Sequence, residues 1–279
     1  MNLKQILFKK DYAINKKYWK CISKFLISFF RLLFIFGIAF MILNPIIVKI
    51  SVSLMDQGDL YDPTVTWVAK DFNFWNYKAA FMSLNYPSAF VNSLLICVTI
   101  SLLQLVSCTL IGYGLARFNL IGGGILFTLV ILTLIMPPQT ITIPLFLNFR
   151  YFDLFNIIQG SGFNLIGTYW PLILMSVTGL AYKNGLFIYI MRQFFKGMPG
   201  ELEEAAYVDG AGLFRTFFQV MLPGAVPAMV IVFLFSFVWQ WNDYFYTMTF
   251  MDESVILPVM LSKLISNAVD NIMVASSVY

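Results

Sequence analysis

Five apolar stretches recur along the chain, Leu32 to Val48, Val91 to Tyr113, Ile125 to Phe146, Tyr169 to Ile190 and Ala225 to Trp241, and only the fourth contains a Lys, Arg, Asp or Glu, namely Lys183. Crossing the ~30 Å hydrocarbon core of a bilayer takes about 20 helical residues, because in lipid every backbone amide and carbonyl must be bonded within its own segment. Each stretch is apolar all round, and none alternates as a strand does. The pattern predicts an all-α, polytopic transmembrane helical bundle. Only 11% of the residues are charged against 59% apolar, too few ionic side chains to cover a water-facing surface.

A sixth span begins and stops. After Trp241-Asn242-Asp243 come a loop with Asp252 and Glu253, a short apolar piece from Ile256 to Leu264, and a last stretch from Asn271 to Tyr279. Nine helical residues cover only about 14 Å, less than half of the core. The expectation is therefore five full spans plus the start of a sixth. A shortened, non-working fragment of a longer membrane protein is the alternative this ending raises.

Residues 1 to 31 hold eight basic side chains against the single Asp11. Before a retained first span, such a cluster marks the cytoplasmic side rather than a nucleic-acid arm or a cleaved leader. With the amino terminus inside, twelve Lys or Arg fall on the cytoplasmic side and five outside, and Asp56, Asp59, Asp62 and Asp71 lie in the first outside loop. The expected organisation is a basic cytoplasmic segment over residues 1–24 and a membrane domain over 25–279, with a cytoplasmic loop at 193–223. The expected location is the cell membrane.

There is no histidine, which removes Ser-His-Asp and Cys-His catalysis and every His-containing metal site. Cys97 and Cys108 would stand roughly 16 Å apart on one helix, beyond bridging distance, so they and Cys21 read as packing residues. No catalytic, metal or cofactor site is expected. An intramembrane enzyme would need a convergent polar cluster that the spans do not supply, and a channel a filter loop or charged ring that no segment shows.

The loop at 193–223 carries the specific pattern. Pro199 suits a helix start, and Glu201, Glu203 and Glu204 place negative charge where the helix dipole favours it. Gly210 and Gly212 end that helix. A second amphipathic piece follows, with Phe214, Phe217, Phe218 and Met221 expected on one face. A helix lying on the bilayer would want a basic polar face, so an acidic start reads instead as a docking element for another protein.

Glu204-Ala205-Ala206, Gly210 and, after nine residues, Val220-x-Leu222-Pro223 resemble the EAA loop of ABC importer permeases, with Val where Ile is usual. Gly112-Tyr113-Gly114-Leu115-Ala116-Arg117-Phe118, Met136-Pro137-Pro138-Gln139 through Pro144-Leu145, and Phe235-Ser236-Phe237 with Trp241-Asn242-Asp243-Tyr244 are similar to segments of the carbohydrate, maltose-permease-like members. The resemblance implies a subunit that forms half of a membrane pore beside a second, different permease chain. Cytoplasmic ABC ATPase subunits would drive it, and an extracellular solute-binding protein would deliver a sugar or, alternatively, a non-sugar organic solute. It also implies that Glu204, Ala205, Ala206, Asp209 and Gly210 seat a coupling helix on the ATPase. The chain itself has no Gly-x4-Gly-Lys-Ser/Thr loop for nucleotide.

Two further places invite a pathway reading. Lys183 at a span centre costs about 2.5 to 3.5 kcal/mol on insertion scales, so it faces a partner, a cavity or water unless it snorkels to an interface. Trp241, Asn242 and Asp243 combine an aromatic face with hydrogen-bonding groups, suited to a sugar path or to an interfacial anchor. Met136-Pro137-Pro138-Gln139 is either a tolerated irregularity or a break lining a path.

Overall fold

A computed structural model describes residues 3–60, 62, 65, 68–153, 162–251 and 255–266, with side chains from Ser23 onward save those of Gln57 and Leu60. All regular elements among them are helical, apart from two isolated bridges, Met55 with Phe72 and Phe152 with Phe163. The chain divides into two compact units, residues 1–81 and 82–279.

The first unit is built on one helix, α1 (Leu3–Ser53), which contains the first predicted span and continues unbroken through Pro45. Its apolar window, within Ser23–Ser53, has no buried residue. The acidic loop that follows is ordered by a carboxylate. Asp59 is buried and accepts the backbone N–H groups of Lys70 (2.8 Å) and Asp71 (3.2 Å), while Lys70 Nζ pairs with Asp62 at 2.5 Å. Helix α2 (Trp75–Ser83) comes next, and Tyr77 shares a hydrogen bond with Ser53.

The second unit is organised around α3 (Tyr86–Arg117), the second predicted span. Its buried positions include Ala89, Ser93, Cys97, Ser101, Gln104, Cys108 and Gly112, spaced three or four apart, whereas Leu95, Val106 and Leu110 are exposed. A lipid tail is as apolar as leucine, so burying leucine gains little. Small side chains that let backbones approach, and polar ones that bond across helices, hold the contact instead. Ser107 Oγ donates to Ser176 O at 2.7 Å, and Ser236 Oγ donates to Gln104 Oε1. Gly112 is required by one such approach, since a Cβ there would stand 2.7 Å from Met191 Cβ.

The remaining spans are not straight. The third predicted span is divided into α4 (Gly123–Ile135) and α5 (Pro138–Arg150), bent by 105°. A residue before proline is pushed to extended backbone, and Met136 and Pro137 both obey, with ψ of 126° and 135°. The fourth is divided into α6 (Trp170–Val177) and α7 (Asn184–Gly197), with Gly179 and Lys183 both at positive φ between them. The fifth, α10 (Val226–Trp241), is bent by 72° from the helical segment before it. Helix α11 (Phe245–Met251) and the ten-residue α12 (Leu257–Ser266) complete the described fold.

Among the described residues, two helices are long and apolar enough to cross a membrane, or up to four if each bent pair is one span. The helical bundle is as expected; Pro137-Pro138 breaks the third apolar run, the stretch from Thr178 to Lys183 breaks the fourth, and the fifth is bent where it leaves the segment before it, none of which hydropathy alone records. The apolar piece near Leu264 is helical. Asp252, Glu253 and the stretch from Asn271 to Tyr279 lie outside the described residues.

Two apolar cores lie along α3. Cys108 and Tyr113 join Met191, Phe195, Phe217, Met221 and Val232 near its carboxyl end. Ile100 joins Phe149, Leu172, Tyr246, Phe250 and Val259 toward its amino end. Cys97 and Cys108 are free and buried.

Candidate functional site

The acidic loop folds as the residue types dictate. Helix α8 (Glu201–Val208) starts after Pro199-Gly200 with all three glutamates in its first turn. It ends in a Schellman motif: Gly210 N–H donates to Tyr207 O (3.0 Å) and Ala211 N–H to Ala206 O (2.9 Å), closing two carbonyls that the helix leaves open. Gly210 has φ of +79°, a conformation glycine adopts without penalty and a β-carbon disfavours. Gly212 then runs extended into α9 (Leu213–Gly224).

Of the five residues singled out in this loop, Glu204, Ala205, Asp209 and Gly210 are exposed and Ala206 is buried. Val208, one turn after Glu204, is 87% exposed, and Phe214 on α9 is 76% exposed. Four aromatic and Met positions expected on one face of α9 are divided: Phe217 and Met221 are buried while Phe214 and Phe218 are exposed. The reason is a π-helical turn over Phe217–Met221. Its wider winding keeps positions four apart together but moves positions three apart onto different faces, which breaks the 3.6-residue pattern.

Glu203, which sequence reasoning placed only in the helix-dipole turn, is the residue that ties α8 to the bundle. Its Oε1 accepts Tyr113 O–H at 2.9 Å, and its Oε2 lies 3.4 Å from Arg117 Nε. Arg117 also donates to Met198 O at 2.7 Å. Tyr113 is packed against Phe118, Phe195 and Phe217, with ring centroids 5.6, 5.2 and 4.7 Å away. A phenol and a guanidinium on the last turns of α3 thus grip one carboxylate on α8. The available signal was Gly112 to Phe118, a segment whose Tyr and Arg stand four apart, on one helix face.

The pathway candidates lie around two cavities of about 240 and 380 Å³. Lys183, Asn242 and Asp243 line the smaller, and Trp241, Asn242 and Asp243 the larger. Lys183 stands at the break between α6 and α7 rather than within a helix, at φ of +77°. Its ammonium is 4.3 Å from the Tyr182 ring centroid and 5.2 Å from that of Trp239. Trp241 packs edge-on to Phe90 and is stacked with Phe237. Asp243 accepts bonds from Thr247 N (2.8 Å), Thr247 Oγ1 (2.9 Å) and Tyr246 N (3.3 Å), so its carboxylate is engaged by the first turn of α11. Residues 136–139 line neither cavity. Gln104 and Ser236, which sequence reasoning did not single out, face the smaller one.

Residues 108–278 match the family model described as binding-protein-dependent transport system inner membrane component. The chain is 32% identical to the diacetylchitobiose uptake system permease protein NgcG of Streptomyces coelicolor over 173 residues, which are 62% of this chain and 53% of that one. It is 29% identical over 176 residues to a probable ABC transporter permease protein of Pyrococcus horikoshii, covering 61% of this chain and 59% of that one. The chain therefore spans somewhat more than half the length of these two relatives. The galactooligosaccharides transport system permease protein GanQ of Bacillus subtilis is 27% identical over 251 residues, with 88% and 83% covered. In fold the chain is similar to a crystal structure of a bacterial ABC transporter involved in the import of the acidic polysaccharide alginate, with a TM-score of 0.65, 22% identity, and 86% and 80% covered.

Proposed function

The chain belongs to the binding-protein-dependent transport system inner membrane component family, and from that premise we propose that it is a permease subunit of an ATP-driven importer. It forms half of the path for a carbohydrate that an extracellular binding protein delivers, beside a second permease chain. The sugar reading is supported by relatives named for diacetylchitobiose, alpha-glucoside and galactooligosaccharide transport.

The observation that carries the coupling role is the two-sidedness of α8. Glu203 is turned inward onto Tyr113 and Arg117, while Glu204, Ala205, Asp209 and Gly210 are presented outward with Val208 and Phe214. Exposed carboxylates and an exposed Val208 on a helix braced from behind fit a cleft on another protein that offers a basic side chain. Small Ala205 lets that protein come close. When the ATPase pair closes on nucleotide, α8 moves as a rigid strut and its brace passes the motion to α3, around which the second unit is packed. In this orientation α8 and the amino terminus are cytoplasmic.

The test is copurification and uptake. The chain coexpressed with its neighbouring transport genes should bring an ATPase and a second permease out of mild detergent, and the reconstituted assembly should take up solute on ATP. Glu204→Lys, which reverses the outward charge, and Gly210→Asp, which strains the helix stop, should each abolish uptake. Undiminished uptake in both variants would sink the coupling assignment.

A further inference from the structure

Among the described residues, the smaller cavity is lined by one cation, Lys183, for which no hydrogen bond to a protein acceptor is found. Lys183 has no carboxylate within ion-pair distance among the described residues. Its ammonium instead lies over the faces of Tyr182 and Trp239, which attract a cation through their quadrupoles but accept no strong hydrogen bond. Asp243, the acid among the described lining residues, forms no ion pair with it and instead accepts bonds from Tyr246 and Thr247 on its two oxygens. The positive backbone angle of Lys183 places this side chain at the gap between α6 and α7 rather than along a helix. The same cavity is lined by Gln104, Gln240, Asn242 and Ser236, side chains of the kind that bond sugar hydroxyls, with Ser236 bonded to Gln104 and Asn242 Nδ2 to Val238 O. A volume of about 240 Å³ is the space of about eight waters at ~30 Å³ each, enough for a single sugar ring.

We propose that this cavity is a binding site for the anionic ring of an acidic saccharide, with Lys183 as the counter-charge and Gln240 and Asn242 among the hydroxyl partners. The proposal rests on the importer reading and adds the charge of its solute. The ammonium, held in place by the two rings, donates its N–H groups to the ligand's anion, a charge-assisted bond in surroundings of low dielectric. A carboxylate or a phosphate satisfies the same donors, and a neutral sugar leaves them empty.

The experiment uses the assembled transporter in detergent and measures equilibrium binding of three probes, digalacturonate, glucose 6-phosphate and neutral galactobiose, to the wild type, Lys183→Met and Lys183→Arg. The expected result is that one or both anions bind the wild type at least tenfold more tightly than they bind Lys183→Met. Lys183→Arg should keep most of that affinity, and galactobiose should bind both forms alike. Which anion gains the tenfold distinguishes a uronate from a sugar phosphate. The Arg variant separates loss of charge from loss of fold. Equal anion binding by wild type and Lys183→Met, a preference for galactobiose, or no binding of any probe would overturn the proposal. ATP-driven uptake by the wild-type assembly together with anion binding that Lys183→Met does not weaken would leave the importer reading standing while this one falls. An assembly without an ATPase would remove the importer reading itself, and the acidic-solute proposal with it.

Discussion

Glu203 and Glu204 are adjacent, chemically identical and opposed in role: one is mostly buried against an arginine and a tyrosine, the other is exposed at the loop's outer surface. Helical geometry makes this so, because neighbouring residues are turned about 100° apart and cannot share a face. Replacing Glu203 with Ala removes a hydrogen bond to a charged group and leaves Arg117 without its carboxylate, a loss of about 1.5–3 kcal/mol. Unfolding of the purified chain in detergent should show it, and a double-mutant cycle with Arg117→Met should return a coupling energy of about 0.5–3 kcal/mol. Glu204→Ala should leave stability within about 0.5 kcal/mol of the wild type. Equal destabilisation by the two would mean that α8 is not braced through Glu203. At Gly210 the requirement is angular, since nothing lies within 4 Å of the place a β-carbon would occupy. Asn tolerates the left-handed region and Val does not, so Gly210→Asn should retain more ATPase association in the copurification assay than Gly210→Val.

Among the elements, α3 was legible as a span from its hydropathy and α8 from its proline, glutamates and glycines. The helix-start and helix-stop rules depend only on local chemistry, so they survive the passage from sequence to structure. What hydropathy could not show is which side of α3 meets protein. In lipid both sides are apolar enough, and the packing face is distinguished by Ser93, Gln104 and Gly112 being small or polar rather than greasy. The break at Pro137 was one of the two readings its prolines allowed, whereas the break at Lys183 and the π-turn over Phe217–Met221 were hidden because an averaged apolar run does not record backbone direction. Gly112→Ala tests the packing face directly. Its methyl would meet Met191 Cβ at 2.7 Å and Arg192 N at 3.0 Å, forcing α3 and α7 apart. The expected loss is about 1–3 kcal/mol in detergent unfolding, whereas Leu95→Val on the exposed side should be nearly silent. Comparable losses at both positions would overturn the assignment of faces.

For the whole molecule, the proposed orientation puts α8 and the loop around Asp59 on opposite sides of the membrane. In a Cys21→Ser background, Asp209→Cys should react with a membrane-impermeant maleimide only from the cytoplasmic side, and Asp71→Cys only from outside. Both residues are exposed, and Cys97 and Cys108 are buried. Labelling of both from one side, or each from the side opposite to that expected, would overturn the orientation argued from twelve basic residues against five. Helix α1 adds a different kind of consequence. It runs 51 residues with its backbone bonds internal, and its apolar window has no side chain buried in protein. A segment so self-contained needs nothing downstream in order to form. As the ribosome delivers the chain, α1 can settle in the bilayer while the bundle around α3 is still unmade, so biogenesis divides into an early, autonomous insertion and a later, cooperative assembly. Defects in the second stage would then leave an inserted but unassembled subunit, a target for membrane proteolysis rather than for aggregation in water.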